Sequence, residues 1–307
     1  MILCSGEALI DMLPRTTDGG EDSFAPYPGG AVFNTAIALG RLGAPVGFFS
    51  GLSNDLFGAR LERALHASGV NASYASRSER PTTLAFVTLK NGHASYAFYD
   101  ENTAGRMLTE ADLPEVGDEI SAMFFGGISL SVEPCARAYE ALLFREAPKR
   151  VTMIDPNIRP GFIKDEPAYR TRVGRMVAAS DIVKLSDEDL AWLQGHDDTA
   201  RAAADMLATG PKLICITEGD KGVTGYTSEG ALTVAANKVE VVDTVGAGDT
   251  FNAGLLASLH EANALSKSSV ASLDEDTIRN ALSLGARAAA VTVSRAGANP
   301  PTRDELP

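Results

Sequence analysis

The stretch Asp243-Thr244-Val245-Gly246-Ala247-Gly248-Asp249 sets three residues with almost no side chain directly before a carboxylate, and an apolar, helix-forming run follows. If a helix starts there, its first N–H groups have no partners inside it and point into the loop. The helix dipole adds partial positive charge at the same point. With Gly246, Ala247 and Gly248 nearly bare, an anion can come close to the main chain. A carboxylate beside a bound phosphate would repel it, so Asp249 fits the picture if it serves a second reactant. It can take a proton from a hydroxyl while a phosphoryl group moves toward that oxygen. The competing reading is a glycine turn in which Asp249 merely caps the helix. These residues alone leave both readings open.

Other chemistries find little support. No GxxxxGK[ST] loop occurs, and "GAGDTF" lacks the third glycine of GxGxxG and stands too near the C-terminus to open a first βαβ unit. That weakens a dehydrogenase reading. The four histidines (His66, His93, His196, His260) form no ligand spacing, and Cys4, Cys135 and Cys215 are far apart in apolar settings. The cysteines read as buried free thiols in a reducing compartment. Lys and Arg number 27 against 40 Asp and Glu, a formal charge of −13. Such a balance argues against a nucleic-acid surface or an anionic membrane as partner. No apolar run is long enough to span a bilayer. "MILCSGEALIDML" is interrupted by Glu7 and Asp11 and reads as a first strand rather than a signal peptide, so a cytoplasmic protein is expected.

The elements that must position these residues alternate. "ILCSGEAL", "VGFFSGL", "AMFFGGI", "RVTMIDP", "DIVKLS" and "KLICIT" read as strands. Helical stretches at 31–42, 55–69, 133–146, 167–179 and 187–208 separate them, and long helices at 248–262 and 275–293 close the chain. "GVTGYTS" and "ALTVAA" form a short β pair. Alternation of this kind implies an α/β fold, a mostly parallel sheet with helices on both faces, whose ligands bind at the strand C-termini. "TTLAFVTL" and "HASYAFYD", joined by Lys90-Asn91-Gly92, break the alternation as a hairpin. With residues 12–27, the segment 82–105 is expected to form a small separate sheet within a single domain of residues 1–307.

"DTVGAGDTFNAGLL" resembles the C-terminal signature of the ribokinase-like (PfkB) carbohydrate kinases, and "PGGAVFNTAIALGRLG" resembles their N-terminal signature. "GEALIDML", "DPNIRPGF", "KLSDEDL" and "ITEGDKG" fit between them, so the resemblance covers essentially the whole chain. "GEALID" and "DPNIRP" look most like bacterial fructokinases. The resemblance implies an ATP-dependent sugar kinase, most like a fructokinase making fructose 6-phosphate. Its alternatives are a 2-keto-3-deoxygluconate kinase, another sugar kinase of the family, or a sugar-binding regulator without catalysis.

The resemblance also places roles. Asp249 matches the catalytic base, and Gly246, Ala247 and Gly248 match the anion hole. Asp11, at the end of the first strand, matches the acid that holds sugar hydroxyls. Gly29, Gly30 and Asn34 face the sugar, as do Asn157, Arg159 and the lid residues Tyr96 and Phe98. Arg159 lies near the transferring phosphate or the sugar. Lys184, Thr217, Gly219, Gly222 and Ala286 fall on the nucleotide side with Gly246 and Gly248. In "KLSDEDL", Ser186 and Asp189 stand where many members have an Asn-x-x-Glu motif linked to magnesium, with Glu188 between them; Mg2+ is expected to arrive on ATP. Asp243, the carbonyl of Val245 and Gly297 are a candidate potassium site. Members acting on keto-sugar acids commonly carry an arginine where this chain has Asp100. An acid there would repel a carboxylated sugar, which favours neutral fructose. A homodimer formed through the lid is implied as well.

Overall fold

The computed structural model describes residues 1–90 and 93–306, and for 88–90 and 93–96 the backbone alone. Its strands are β1 (Ile2–Ser5), β2 (Leu9–Thr16), β3 (Asp22–Gly29), β4 (Val46–Phe49), β5 (Gly51–Ser53), β6 (Ser76–Ser78), β7 (Leu84–Lys90), β8 (His93–Tyr99), β9 (Ala122–Gly126), β10 (Val151–Asp155), β11 (Ile182–Ser186), β12 (Leu213–Thr217), β13 (Val223–Thr227) and β14 (Gly230–Val234). The helices are α1 (Ala31–Arg41), α2 (Leu56–Ala67), α3 (Cys135–Glu146), α4 (Glu166–Ala179), α5 (Asp187–Gln194), α6 (Thr199–Leu207), α7 (Ala247–Glu261), α8 (Lys267–Val270) and α9 (Glu275–Val293).

The main sheet runs β14-β13-β12-β11-β10-β9-β1-β4. It is parallel from β4 to β12 and antiparallel only at β13 and β14. Side chains alternate between its two faces because successive Cβ atoms point opposite ways. Ile2, Cys4, Met153 and Leu213 join a core with α1, α2, α7 and α9. Leu3, Ile154, Val183 and Ile214 join a second core with α3, α4 and α6. Each fully buried aliphatic side chain among them contributes about 1.5–3 kcal/mol. The order of strand addition switches sides at β1, with β4 laid on one side of it and β9 to β12 on the other. The loops after β1, β9, β10, β11 and β12 therefore open along one edge, where such sheets bind ligands.

The second sheet, β3-β2-β7-β8, pairs the segment after β1 with the hairpin. It is a separate sheet over 9–29 and 84–99, where the lid is expected; Asn91 and Gly92 lie outside the described residues. Three expected elements are divided. "ILCSGEAL" breaks at Gly6, whose absent side chain lets Val32 of α1 pack at 2.4 Å from where a β carbon would stand. Asp11 therefore lies on the lid strand β2 and not at the end of the first strand. "VGFFSGL" splits into β4 and β5 at Ser50. The stretch 187–208 is two helices, because Gly195 is left-handed (φ 74°) and Asp198 caps a new start.

Candidate active site

Helix α7 begins at Gly246, whose left-handed φ of 79° turns the chain sharply into it. A β carbon there would stand 2.8 Å from that of Ala298, so the residue is small for packing as well as for geometry. No side chain caps the helix. The Ala247 N–H reaches the Thr244 carbonyl at a long 3.3 Å. The N–H groups of Gly248 and Asp249 have no protein acceptor among the described residues. These bare amides are what the expected anion hole requires, and Asp249 makes no side-chain cap on the helix among the described residues.

Asp249 is 8% exposed, at the buried edge of this loop. Its Oδ2 accepts a hydrogen bond from Asn34 Nδ2 at 2.9 Å, while no protein donor among the described residues meets Oδ1. Thr35 Oγ1 donates to the Asp249 carbonyl at 3.2 Å and ties α1 to α7. Burial pushes the carboxyl up to about 7, against the opposing effect of the Asn34 hydrogen bond. A base poised near neutrality suits proton removal from an alcohol.

The sugar-side residues gather around the start of α1. Gly30 is its N-cap at φ 107°, and a β carbon there would press on the Glu7 carbonyl at 2.9 Å. Gly29 lies against Asp11, whose Oδ2 would be 2.1 Å from a β carbon on that residue. Burial raises the Asp11 carboxyl to about 6, and no protein donor meets it among the described residues, so its lone pairs are left for a ligand. Phe98 stacks edge-on against Phe162 with ring centroids 4.7 Å apart. The side chain of Tyr96 lies outside the described residues.

Sequence reasoning missed Glu7. It is buried and receives the Ala31 N–H at 2.9 Å and the Ser129 N–H at 3.3 Å, bridging α1 to the loop after β9. Burial raises its proton affinity too. The available signal was an acid directly after a strand-ending glycine. The Asp100 argument is corrected: Asp100 Oδ1 pairs with Arg106 Nη1 at 3.0 Å. Its charge is compensated, so repulsion of a carboxylated sugar gives no ground for preferring a neutral one.

After β10, Asp155 Oδ1 accepts the N–H of Asn157, which sits in the left-handed region at φ 44°. Arg159 is exposed and donates to its own neighbour's carbonyl at 2.9 Å; it forms no ion pair among the described residues. Asp189 Oδ1 accepts the Ile158 N–H at 3.1 Å, and it belongs to no group of three or more metal-binding side chains among the described residues. Burial and nearby Asp155 raise it to about 6. Glu188 is exposed and turned away into the first turn of α5.

Of the residues expected to face a nucleotide, Thr217 ends β12 and Gly219 follows at φ 57° with open space above it. Gly222 is buried, and a β carbon there would lie 2.1 Å from the Val234 carbonyl, so it makes a turn against β14. Ala286 is half-buried on α9. Lys184 does not reach the surface of this side; it is 4% exposed and lies beneath the anion hole. Asp243 receives the Val245 N–H at 3.0 Å and the Gly297 N–H at 2.9 Å, so the three candidate potassium residues do meet.

Residues 1–305 match the pfkB family carbohydrate kinase profile. A fructokinase of Rhizobium leguminosarum bv. trifolii is 59% identical over 280 residues, covering 91% of this chain and 86% of its own. The fold superposes on a fructokinase from Xylella fastidiosa solved with bound ATP, at a TM-score of 0.88, 28% identity and coverage of 100% and 94%. A double mutant of the Vibrio cholerae O395 fructokinase, solved with fructose, ADP and a potassium ion, gives 0.83, 25% identity and coverage of 97% and 93%.

Proposed function

The chain belongs to the pfkB family of carbohydrate kinases, and from that premise we propose that it is an ATP-dependent fructokinase, moving the γ-phosphoryl group of ATP to fructose to give fructose 6-phosphate. The observation that carries the chemistry is the pairing of unoccupied amides at Gly248 and Asp249 with a buried carboxylate whose Oδ1 is free of protein donors. The sugar identity rests on the 59% identical fructokinase.

The steps follow from the geometry. Asp11 and Asn34 hold sugar hydroxyls over Gly29 and Gly30, where main chain alone lines the floor. Asn34 also fixes the Asp249 rotamer through Oδ2. Oδ1 takes the proton as the O–H bond of the reacting alcohol breaks. That oxygen forms a bond to the γ-phosphorus, the bond from phosphorus to the bridging β,γ-oxygen breaks, and its electron pair leaves with ADP. Charge growing on the γ-oxygens meets the α7 amides, a preorganised arrangement that costs no reorganisation during the reaction. Lid closure excludes water, the competing acceptor.

Magnesium would come with ATP, where it would offset phosphate charge. One carboxylate with main-chain carbonyls near Val245 and Gly297 suits a loosely held monovalent cation, and potassium would order the loop leading into α7 from there. The chain acts as one kinase domain with its β lid, in a reducing, cytoplasmic setting that suits three buried free thiols. It pairs as a homodimer through the lid. Phe24 and Tyr27 are each 42% exposed and Tyr99 is 63% exposed, and Phe24, Phe86 and Tyr99 form an edge-to-face row at 4.9 and 5.3 Å.

The deciding experiment measures ADP release with ATP and Mg2+ across a sugar panel. Fructose is expected to give the highest kcat/KM, at least about tenfold above 2-keto-3-deoxygluconate, in line with the discrimination that unpaired polar groups impose. Preference for the acid sugar overturns the substrate. Absence of ADP release with every sugar overturns the kinase reading.

A further inference from the structure

Lys184 is a buried cation with an unusual address. It projects from β11 under the first turn of α7, with Nζ 3.0 Å from the point where a β carbon on Gly248 would stand. The bare glycine is what admits it. Nζ donates to Asp155 Oδ2 at 3.1 Å, and Asn252 Nδ2 donates to the same oxygen at 2.7 Å. Asn252 stands three residues after Asp249 on α7, hence on the same helix face. Asp155, 2% exposed, is thereby gripped from three sides by Lys184, Asn252 and the Asn157 N–H. A buried ion pair is weak evidence of stabilisation, since desolvating two charges offsets much of their attraction. Its position demands another reason.

We propose that Lys184 and Asp155 are positioning residues that set, with opposite signs, how readily Asp249 accepts the proton of the sugar hydroxyl, Lys184 acting from beneath the main chain of Gly248 rather than by contact with the nucleotide. The proposal rests on Asp249 being the base. Asn34 from α1 contacts that carboxyl, and the charges that act on it are Glu7 from the loop after β1, Asp155 from β10 and Lys184 from β11. Asp189 and Arg159 stand one shell further out, around Lys184 and Asp155. Asp155 and Glu7 hold the proton on Asp249; Lys184 draws it off. Burial disfavours the Lys184 charge, but contact with Asp155 outweighs it and keeps the ammonium protonated. Without Lys184, the base would sit among three acids at one end of the cleft.

The test is the pH dependence of kcat/KM for fructose in the full enzyme, Lys184→Met and Asp155→Asn. The acid limb is expected to move to higher pH by about 1 unit in Lys184→Met and to lower pH by a similar amount in Asp155→Asn, the scale of one charge a few ångströms away in a partly screened interior. KM for ATP should change less than about threefold, below the effect of losing a charge-assisted hydrogen bond. Limbs that stay put, or that move the same way in both variants, overturn the proposal and leave a structural brace. A large rise in KM for ATP with an unmoved limb also overturns it and makes Lys184 a nucleotide ligand. If Lys184→Met does not fold, Asp155→Asn decides alone, being nearly isosteric and keeping one oxygen to accept from Lys184 and Asn252 in place of Oδ2. The ionisation of Asp249 can be read without turnover from the pH dependence of unfolding free energy, comparing each variant with its Asp249→Asn double. An inactive parent enzyme would therefore sink the kinase reading while that second measurement still judged the electrostatic one.

Discussion

At the scale of one residue, the buried carboxyl of Asp249 links activity to stability. An ordinary aspartate loses its proton near pH 4, whereas burial holds this one up to about 7. Between those values the folded chain keeps a proton that the unfolded chain has lost. The stabilising contribution is therefore complete below about pH 4 and is lost as pH rises through about 7. Asp249→Asn keeps an acceptor for Asn34 and removes that loss. The variant should be more stable than the parent by up to about 4 kcal/mol at pH 8, with the gap narrowing to about 1 kcal/mol at pH 5. Chemical denaturation at the two pH values checks this, and a variant less stable at both would contradict the buried-base picture. Activity should fall in the same variant by about 10²–10⁴ in kcat, with fructose still bound, because a missing base costs that much. Turnover by the parent should decline tenfold per unit below about pH 7 in kcat/KM.

At the scale of elements, the placement of the anion hole depends on how closely α7 can lie against α9. Gly254 faces Gly285 so tightly that a β carbon on Gly254 would stand 2.6 Å from the Gly285 Cα. Helix backbones meet there without side chains between them. Gly254→Ala is expected to destabilise by about 1–3 kcal/mol through overpacking, and to lower kcat more than it raises KM for fructose, since α7 shifts while α1 and the lid do not. Calorimetry with steady-state kinetics tests both halves; a loss of stability with unchanged kcat would separate α7 placement from chemistry. The elements themselves were legible because apolar periodicity switches between 2 and 3.6 along the chain. Glu275–Val293 agrees with the expected 275–293. The breaks at Gly6 and Gly195 were not legible. Each depends on what the chain meets there, Val32 in one case and a left-handed turn in the other.

At the scale of the molecule, the lid adds a second sheet whose outer face carries an aromatic row on strands β3, β7 and β8. Substituting Tyr99 with Lys should convert the proposed dimer to monomer, visible by sedimentation velocity, and should raise KM for fructose if the partner lid helps close the site. A wild-type monomer would end the dimer proposal. Among the described residues no helix is long and apolar enough to cross a membrane.

By itself the sequence determined the alternating architecture, the lid hairpin, the bare loop before Asp249 and the order of the two signatures. These are local properties: periodicity, glycine placement and the partnerless amides of a helix start act within a few residues. Tertiary structure alone decided the ionisation of Asp249, the neutralisation of Asp100 by Arg106, the bridging role of Glu7 and the seat of Lys184 under Gly248. Those depend on burial and on charges brought together from β1, β10, β11, α1 and α7. Coulomb energies change with distance and solvent exclusion, and neither quantity is written in sequence spacing.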